Sequence, residues 1–144
     1  MTTVRAAPFA ELDLRTMYAI LRLRVDVFVV EQACAYPELD GRDLDPTTVH
    51  LWTSDAAGPT AYLRVLDDGA ASRIGRVCTR ADARGAGLAA ELMRAASHHV
   101  AGRPVILDAQ AQLVTWYERF GFHVDGAAFV EDGIPHVPMR RETA

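Results

Sequence analysis

Apolar residues recur at three- and four-residue steps from Leu14 onward, through Met17, Tyr18, Leu21, Val25 and Phe28. That period is helical. Residues 14 to about 30 are therefore expected to form one amphipathic helix, with Asp13 placed to cap its first amides. Ahead of it, Thr3 to Ala6 is a short strand candidate. Beyond it the pattern loosens: Ala35-Tyr36-Pro37 and Asp40-Gly41-Arg42-Asp43 carry turn chemistry. The segment from Cys34 to Thr47 reads as a structured loop, longer than most connections and of the kind that often carries function. Three strand candidates follow, His50 to Thr53, Thr60 to Leu66 and Ser72 to Thr79, with turns at Ala57-Gly58-Pro59 and Asp67-Asp68-Gly69. Short turns between successive strands predict an antiparallel meander.

The helical period returns from Gly85 to about Val100, marked by Leu88, Leu92, Met93 and Ala96. Val105-Ile106-Leu107 is wholly apolar, as a central strand buried on both faces would be. Gln112 to Phe120 is a further short helix stopped by Gly121. Phe122 to Val130 and His136 to Arg140 are the last strand candidates, joined through Glu131-Asp132-Gly133-Ile134-Pro135. This order of elements in 144 residues predicts a single α/β domain, residues 1–144, built on a mixed sheet.

Composition narrows the class. The chain is 50% hydrophobic and 24% charged, enough for a core without metal or disulfide support. No apolar run approaches the roughly 20 residues of a membrane helix, and no apolar stretch follows Met1-Thr2-Thr3-Val4-Arg5, so no signal peptide is expected. Cys34 and Cys78 form no C-x-x-C pair; reduced thiols in a cytoplasmic protein are expected. His, Cys and carboxylate residues show no metal-ligand spacing, and no metal is expected. The net charge is −4, and all 15 basic residues are Arg, interspersed with acid; nucleic acid is a poor ligand for such a surface. The acid is uneven: Glu31, Glu38, Asp40, Asp43 and Asp45 stand against Arg42 alone. That stretch is either a solvated acidic loop or a site that attracts a cationic substrate.

The segment Arg80-Ala81-Asp82-Ala83-Arg84-Gly85-Ala86-Gly87-Leu88-Ala89 lies between a strand and a helix. The first amides of a helix have no intrahelical partner, and the helix dipole adds about half a positive charge there. Gly85, Gly87 and the small Ala86 and Ala89 let a bulky anion reach that backbone, which makes a phosphate cradle. Arg84 can add a charge-assisted contact. The pattern is not a P-loop, and a glycine-rich turn after a meander is a poor dinucleotide site.

Arg84 to Ala89 reads R-x-x-G-x-A, which resembles the acyl-CoA pyrophosphate motif of the GNAT acetyltransferase superfamily. Trp116-Tyr117-Glu118-Arg119-Phe120-Gly121-Phe122 resembles the second signature of that superfamily. A narrower resemblance, to the ElaA-like group, rests on Phe28-Val29-Val30-Glu31-Gln32, Asp40-Gly41, Ile74-Gly75-Arg76-Val77, Ala109-Gln110-Ala111 and Glu131-Asp132-Gly133-Ile134-Pro135-His136. The resemblance implies a GNAT fold, acetyl-CoA as co-substrate, an amine acceptor and, often, a homodimer. It implies that Val77 and Thr79 contact the pantetheine arm through backbone groups, with Cys78 between them turned to the other face of the sheet as a small core residue. The Val77 N–H would polarise the thioester carbonyl, a donor aimed at developing negative charge. Gly85, Ala86, Gly87, Leu88 and Ala89, with Arg84, would hold the pyrophosphate. Gln110 stands where many members carry Asn. Tyr117 matches the general acid, able to protonate a thiolate whose own pKa is about 8.5; a core role with a satisfied hydroxyl is the alternative.

The base is open. Arg73-Ile74-Gly75-Arg76-Val77 has no carboxylate where some members carry Glu. Glu31 is the first candidate and His136 the second, because imidazole titrates in the useful range; Asp40, Asp43 and His50 follow. Glu31, Tyr36, Asp40 and His136 are candidate acceptor contacts. The expected function is acetyl transfer to an amine in a ternary complex. The alternatives are a CoA-binding regulatory module with little turnover and an acyltransferase with a longer acyl donor.

Overall fold

The computed structural model describes residues 2–100 and 102–142. The N-terminal strand β1 (Arg5–Ala7) leads into α1 (Leu14–Val25). The Asp13 carboxylate accepts from the Thr16 amide at 2.7 Å, the cap that the sequence predicts. The helical pattern to Val30 holds, but its geometry changes: residues 26–31 form a π-helical turn ending at Glu31. Such turns are frequent at functional sites. Met17, Ile20, Leu23 and Val27 pack from this helix onto Trp52, Tyr62 and Cys78 of the sheet.

The meander is β2 (Val49–Asp55), β3 (Gly58–Asp67) and β4 (Ser72–Thr79), antiparallel as expected. After it come α2 (Leu88–Ala96), β5 (Val105–Gln110) and α3 (Val114–Glu118). The predicted strand from Phe122 to Val130 is two short ones, β6 (His123–Val124) and β7 (Phe129–Glu131). The break has a steric cause. At Gly126 a Cβ would come within 2.9 Å of the Pro138 ring, so the chain passes β8 there too closely for a regular strand with side chains. β8 (Ile134–Arg141) runs antiparallel to β5, β6 and β7. Among the described residues the sheet order is β1-β2-β3-β4-β5-β8-β6, with β7 also on β8. Its second face carries the larger core, in which Leu63, Val65, Ile74, Leu107 and Met139 meet Leu92, Met93, Tyr117 and Phe122.

Two features of β4 place the site. Tyr62 pairs with Cys78 and Arg64 with Gly75, so Leu63 alone stands opposite Arg76 and Val77. This is a bulge, and Arg76 adopts the left-handed region at φ 54°. The parallel pairing of β4 with β5 is confined to Ser72↔Val105 and Arg73↔Ile106. Beyond that point the two strands separate.

Candidate active site

The separation of β4 from β5 opens a cleft of about 990 Å³, at the upper end of the roughly 300–1,000 Å³ range of small-molecule sites. Gly75 to Thr79 line one wall, Leu107, Asp108 and Gln110 the other, and Arg84, Gly85, Leu88 and Ala89 close one end. Gly85 and Gly87 sit at φ 88° and 77°, where a side chain would be strained. At neither would a Cβ meet another atom, so the backbone of the turn is open to approach. Gly87 is the N-cap of α2 and supplies no side-chain cap. The first intrahelical bond runs from the Glu91 amide to the Gly87 carbonyl, so the amides of Leu88, Ala89 and Ala90 precede the helical ladder. Ala86 and Gly87 form the exposed outer part of the turn. These residues fit a diphosphate: amides at a helix start, no side chains in the way, and a cation beside them.

Arg84, however, is already engaged. Its two terminal nitrogens donate to both Glu31 oxygens at 2.7 Å, and Nε donates to the Thr79 carbonyl at 3.1 Å. Glu31 is thereby held below the ordinary carboxylate range by the Arg84 hydrogen bonds. This corrects the first choice of base: a carboxylate stabilised in its charged form by a bidentate guanidinium is a poor proton acceptor.

The acidic loop is also corrected, on both of its readings. It divides: Glu31, Asp40 and Asp45 are exposed, Glu38 and Asp43 are buried, and all but Asp45 are paired with Arg. Arg24, wholly buried on α1, donates to Glu38 and Asp43 at 2.7 Å each. Arg64 pairs with Asp40 at 2.6 Å and with Asp43 at 3.0 Å. Arg76, at the bulge, pairs with Glu38 at 2.8 Å and Asp40 at 3.5 Å. Three cations from three distant elements thus neutralise three carboxylates. Asp40 lines the cleft as part of this network. Burial alone would raise the Asp43 pKa; the Arg24 hydrogen bond reverses that and leaves it lowered. Tyr36 also lines the cleft, hydrogen-bonded to Glu38 with the Arg76 guanidinium 5.6 Å from its ring centre.

His50 is excluded from the cleft. It is buried between the Tyr62 hydroxyl at 2.6 Å and the Asp43 carbonyl at 3.1 Å. His136 is in the cleft wall. Its Nδ1 lies 2.8 Å from the Ile134 carbonyl, which can only accept, so Nδ1 carries a proton and Nε2 is the nitrogen left to exchange one with a substrate. The ring stacks on Phe129 at 5.6 Å. Tyr117 is buried on α3 and also reaches the cleft. Burial pushes its phenol above the ordinary range, with a smaller push from Cys78, so it stays protonated. Edge contacts with Trp116 at 4.9 Å and Phe122 at 6.3 Å fix its ring. Gln110 hydrogen-bonds Gln32 at 3.2 Å across the cleft. The Cys78 side chain packs under α1, its thiol pushed up to about 12 by burial. Both cysteines are free. No group of metal-ligating side chains gathers among the described residues, and no helix there is long and apolar enough to cross a membrane.

Sequence reasoning missed Gly75, Asp108 and Gln32. A glycine inside a strand pattern was the available signal, since it marks a bulge or a close approach.

Residues 25–143 match the acetyltransferase (GNAT) domain. The chain belongs to the GNAT acetyltransferase family. A UPF0039 protein of Mycobacterium tuberculosis is 51% identical over 136 residues, which span 91% of this chain and 87% of that protein. Protein ElaA of Escherichia coli is 41% identical over 142 residues, 92% of each chain, and its crystal structure superposes with a TM-score of 0.89 over 99% of this chain and all of the other. An acyl-CoA N-acyltransferase from Pseudomonas aeruginosa gives a TM-score of 0.91 at 42% identity, covering 98% and 99% of the two chains. The GNAT fold supports acyl transfer from a CoA thioester, and this chain is an ElaA-like member of it.

Proposed function

We propose that this protein transfers acetyl from acetyl-CoA directly to a primary amine in a ternary complex. The supporting observation is the cleft that joins the bulged end of β4, the uncapped start of α2 and the Tyr117 phenol. On this reading the amides of Gly85, Ala86, Gly87, Leu88 and Ala89 hold the pyrophosphate. Val77, Cys78 and Thr79 border the pantetheine through their backbone, and Gln110 borders it from β5. The Val77 N–H polarises the thioester carbonyl.

His136 takes a proton from the ammonium through Nε2, and the freed nitrogen lone pair attacks the carbonyl carbon. The carbon–sulfur bond breaks, Tyr117 delivers its proton to the departing thiolate, and the second proton lost by the nitrogen as the amide forms returns through solvent to restore the phenol. Burial that raises the phenol also raises the proton affinity of a thiolate beside it, so the two remain matched. The charge lining the cleft supports a cationic acceptor. Arg64, Arg73, Arg76 and Arg84 each have a carboxylate partner, whereas Glu131 and Asp132 have no ion pair among the described residues.

A CoA-binding module with little turnover is the competing reading, favoured by the bare Gly75 where a strand carboxylate would face the acceptor. Thiol release separates the two. Acetyl-CoA mixed with the protein and a set of diamines and polyamines should give free thiol in proportion to enzyme. Tight CoA binding with no thiol above the hydrolysis rate on any amine would favour the module.

A further inference from the structure

Alternation along the strands assigns each face of the split. Gly75 pairs with Arg64, and Arg73 lies beside Ile106 of β5. Arg73 reaches Asp108 at 3.0 Å, so Asp108 shares its face. Gln110, two residues on, lies on that face as well, and Gln110 pairs with His136. Gly75, Arg64, Arg73, Asp108, Gln110 and His136 therefore share one face of the sheet. On the other face lie Val65, Ile74 and Leu107, in the apolar core with Tyr117.

Gly75 is the bare point of that polar face. It is half-buried and lines the cleft, yet a Cβ built on it meets no atom within 4 Å. It is absent from the glycines with left-handed φ, so its backbone does not require glycine. The missing side chain is thus a matter of space above the strand. Gly75 lies two residues from Val77, across the bulge at Arg76, near the place where the acyl carbon sits on the reading proposed above.

We infer that Gly75 is the specificity-determining residue for the acceptor: the open floor it leaves takes the carbon chain next to the reacting nitrogen. The inference rests on the transferase reading. The acceptor fits this space better than an extended acyl group does. The Arg64–Asp40 and Arg73–Asp108 pairs line this face of the cleft beside Leu66 and Phe28, a mixed polar and apolar wall that suits a charged amine with a short carbon chain. The base, His136, stands on the same face.

Gly75→Ala and Gly75→Val test this, because each adds volume where nothing must move. CoA affinity by calorimetry, the amine KM and acyl-CoA chain-length preference are measured together. Gly75→Val should raise the KM of an unbranched amine by roughly 10-fold, with CoA affinity and acyl preference unchanged. An unchanged amine KM would overturn the inference, and a preference shifted to shorter acyl groups beside it would make this the acyl pocket. A wild type that binds CoA but acetylates no amine refutes the transferase reading itself, and the inference with it.

Discussion

Glu31 and Arg84, 53 positions apart, form a two-pronged ion pair that ties the end of the π-helical turn to the start of the phosphate-binding loop. With the Nε bond to the Thr79 carbonyl, Arg84 links three segments around one end of the cleft. Glu31→Gln should leave acetyl transfer running and weaken CoA binding by less than about 10-fold, the scale of a half-exposed pair. Calorimetry at two salt concentrations checks this: the wild type should lose more affinity with salt than the variant. A loss of turnover comparable to removal of the base would restore Glu31 to the chemistry.

Tyr117→Phe keeps the ring packing against Trp116 and Phe122 and removes the proton. Turnover should fall by about 10²–10⁴ while CoA affinity stays within twofold, roughly what one lost neutral contact allows. Burial raises the phenol, so the wild-type rate should not decline through the ordinary tyrosine range near pH 10. A rate profile across pH 7 to about 10 reads this directly.

The buried network governs stability. Arg24→Met removes the fully buried cation shared by Glu38 and Asp43, which keep only Arg76 and Arg64, and should cost about 3 kcal/mol, the low end for a broken buried pair, measured by denaturant unfolding. The pH dependence follows from Asp40 and Asp43. Burial would raise both, but their Arg partners lower them below the unfolded values. The unfolded chain then binds protons more readily, so the stabilisation is complete above the ordinary Asp value of about 3.9 and is lost as the pH falls below it. Melting temperature should drop steeply there in the wild type, and less steeply in Asp43→Asn.

Gly87→Glu should abolish CoA binding. It places a carboxylate at the helix start and forces a side chain into a left-handed backbone. Gly87→Asn tolerates that backbone better and adds no charge, so it should retain measurable binding by the same titration.

The meander, the glycine turn and the short helix α3 are legible in the sequence because each is local: short turns between strand runs, a glycine pair before a helix, a fixed spacing of aromatics. The bulge is only half legible: Gly75 inside a strand pattern hints at it, but nothing asks for φ 54° at Arg76 itself. The acidic loop misleads for a similar reason. Its carboxylates are adjacent in sequence, while Arg24, Arg64 and Arg76 arrive from one helix and two strands. His136 could be named as a candidate but not preferred over Glu31, because the Ile134 carbonyl that fixes its tautomer and the Arg84 that occupies Glu31 are matters of geometry.

The most direct test of the account is to follow the acetyl group itself. Incubation of the purified protein with acetyl-CoA and an unbranched diamine should yield monoacetylated diamine by mass spectrometry, one equivalent per CoA released, with the yield collapsing in Gly87→Glu. Acetyl-CoA recovered intact, with the diamine unmodified and no heat of CoA binding, would contradict it.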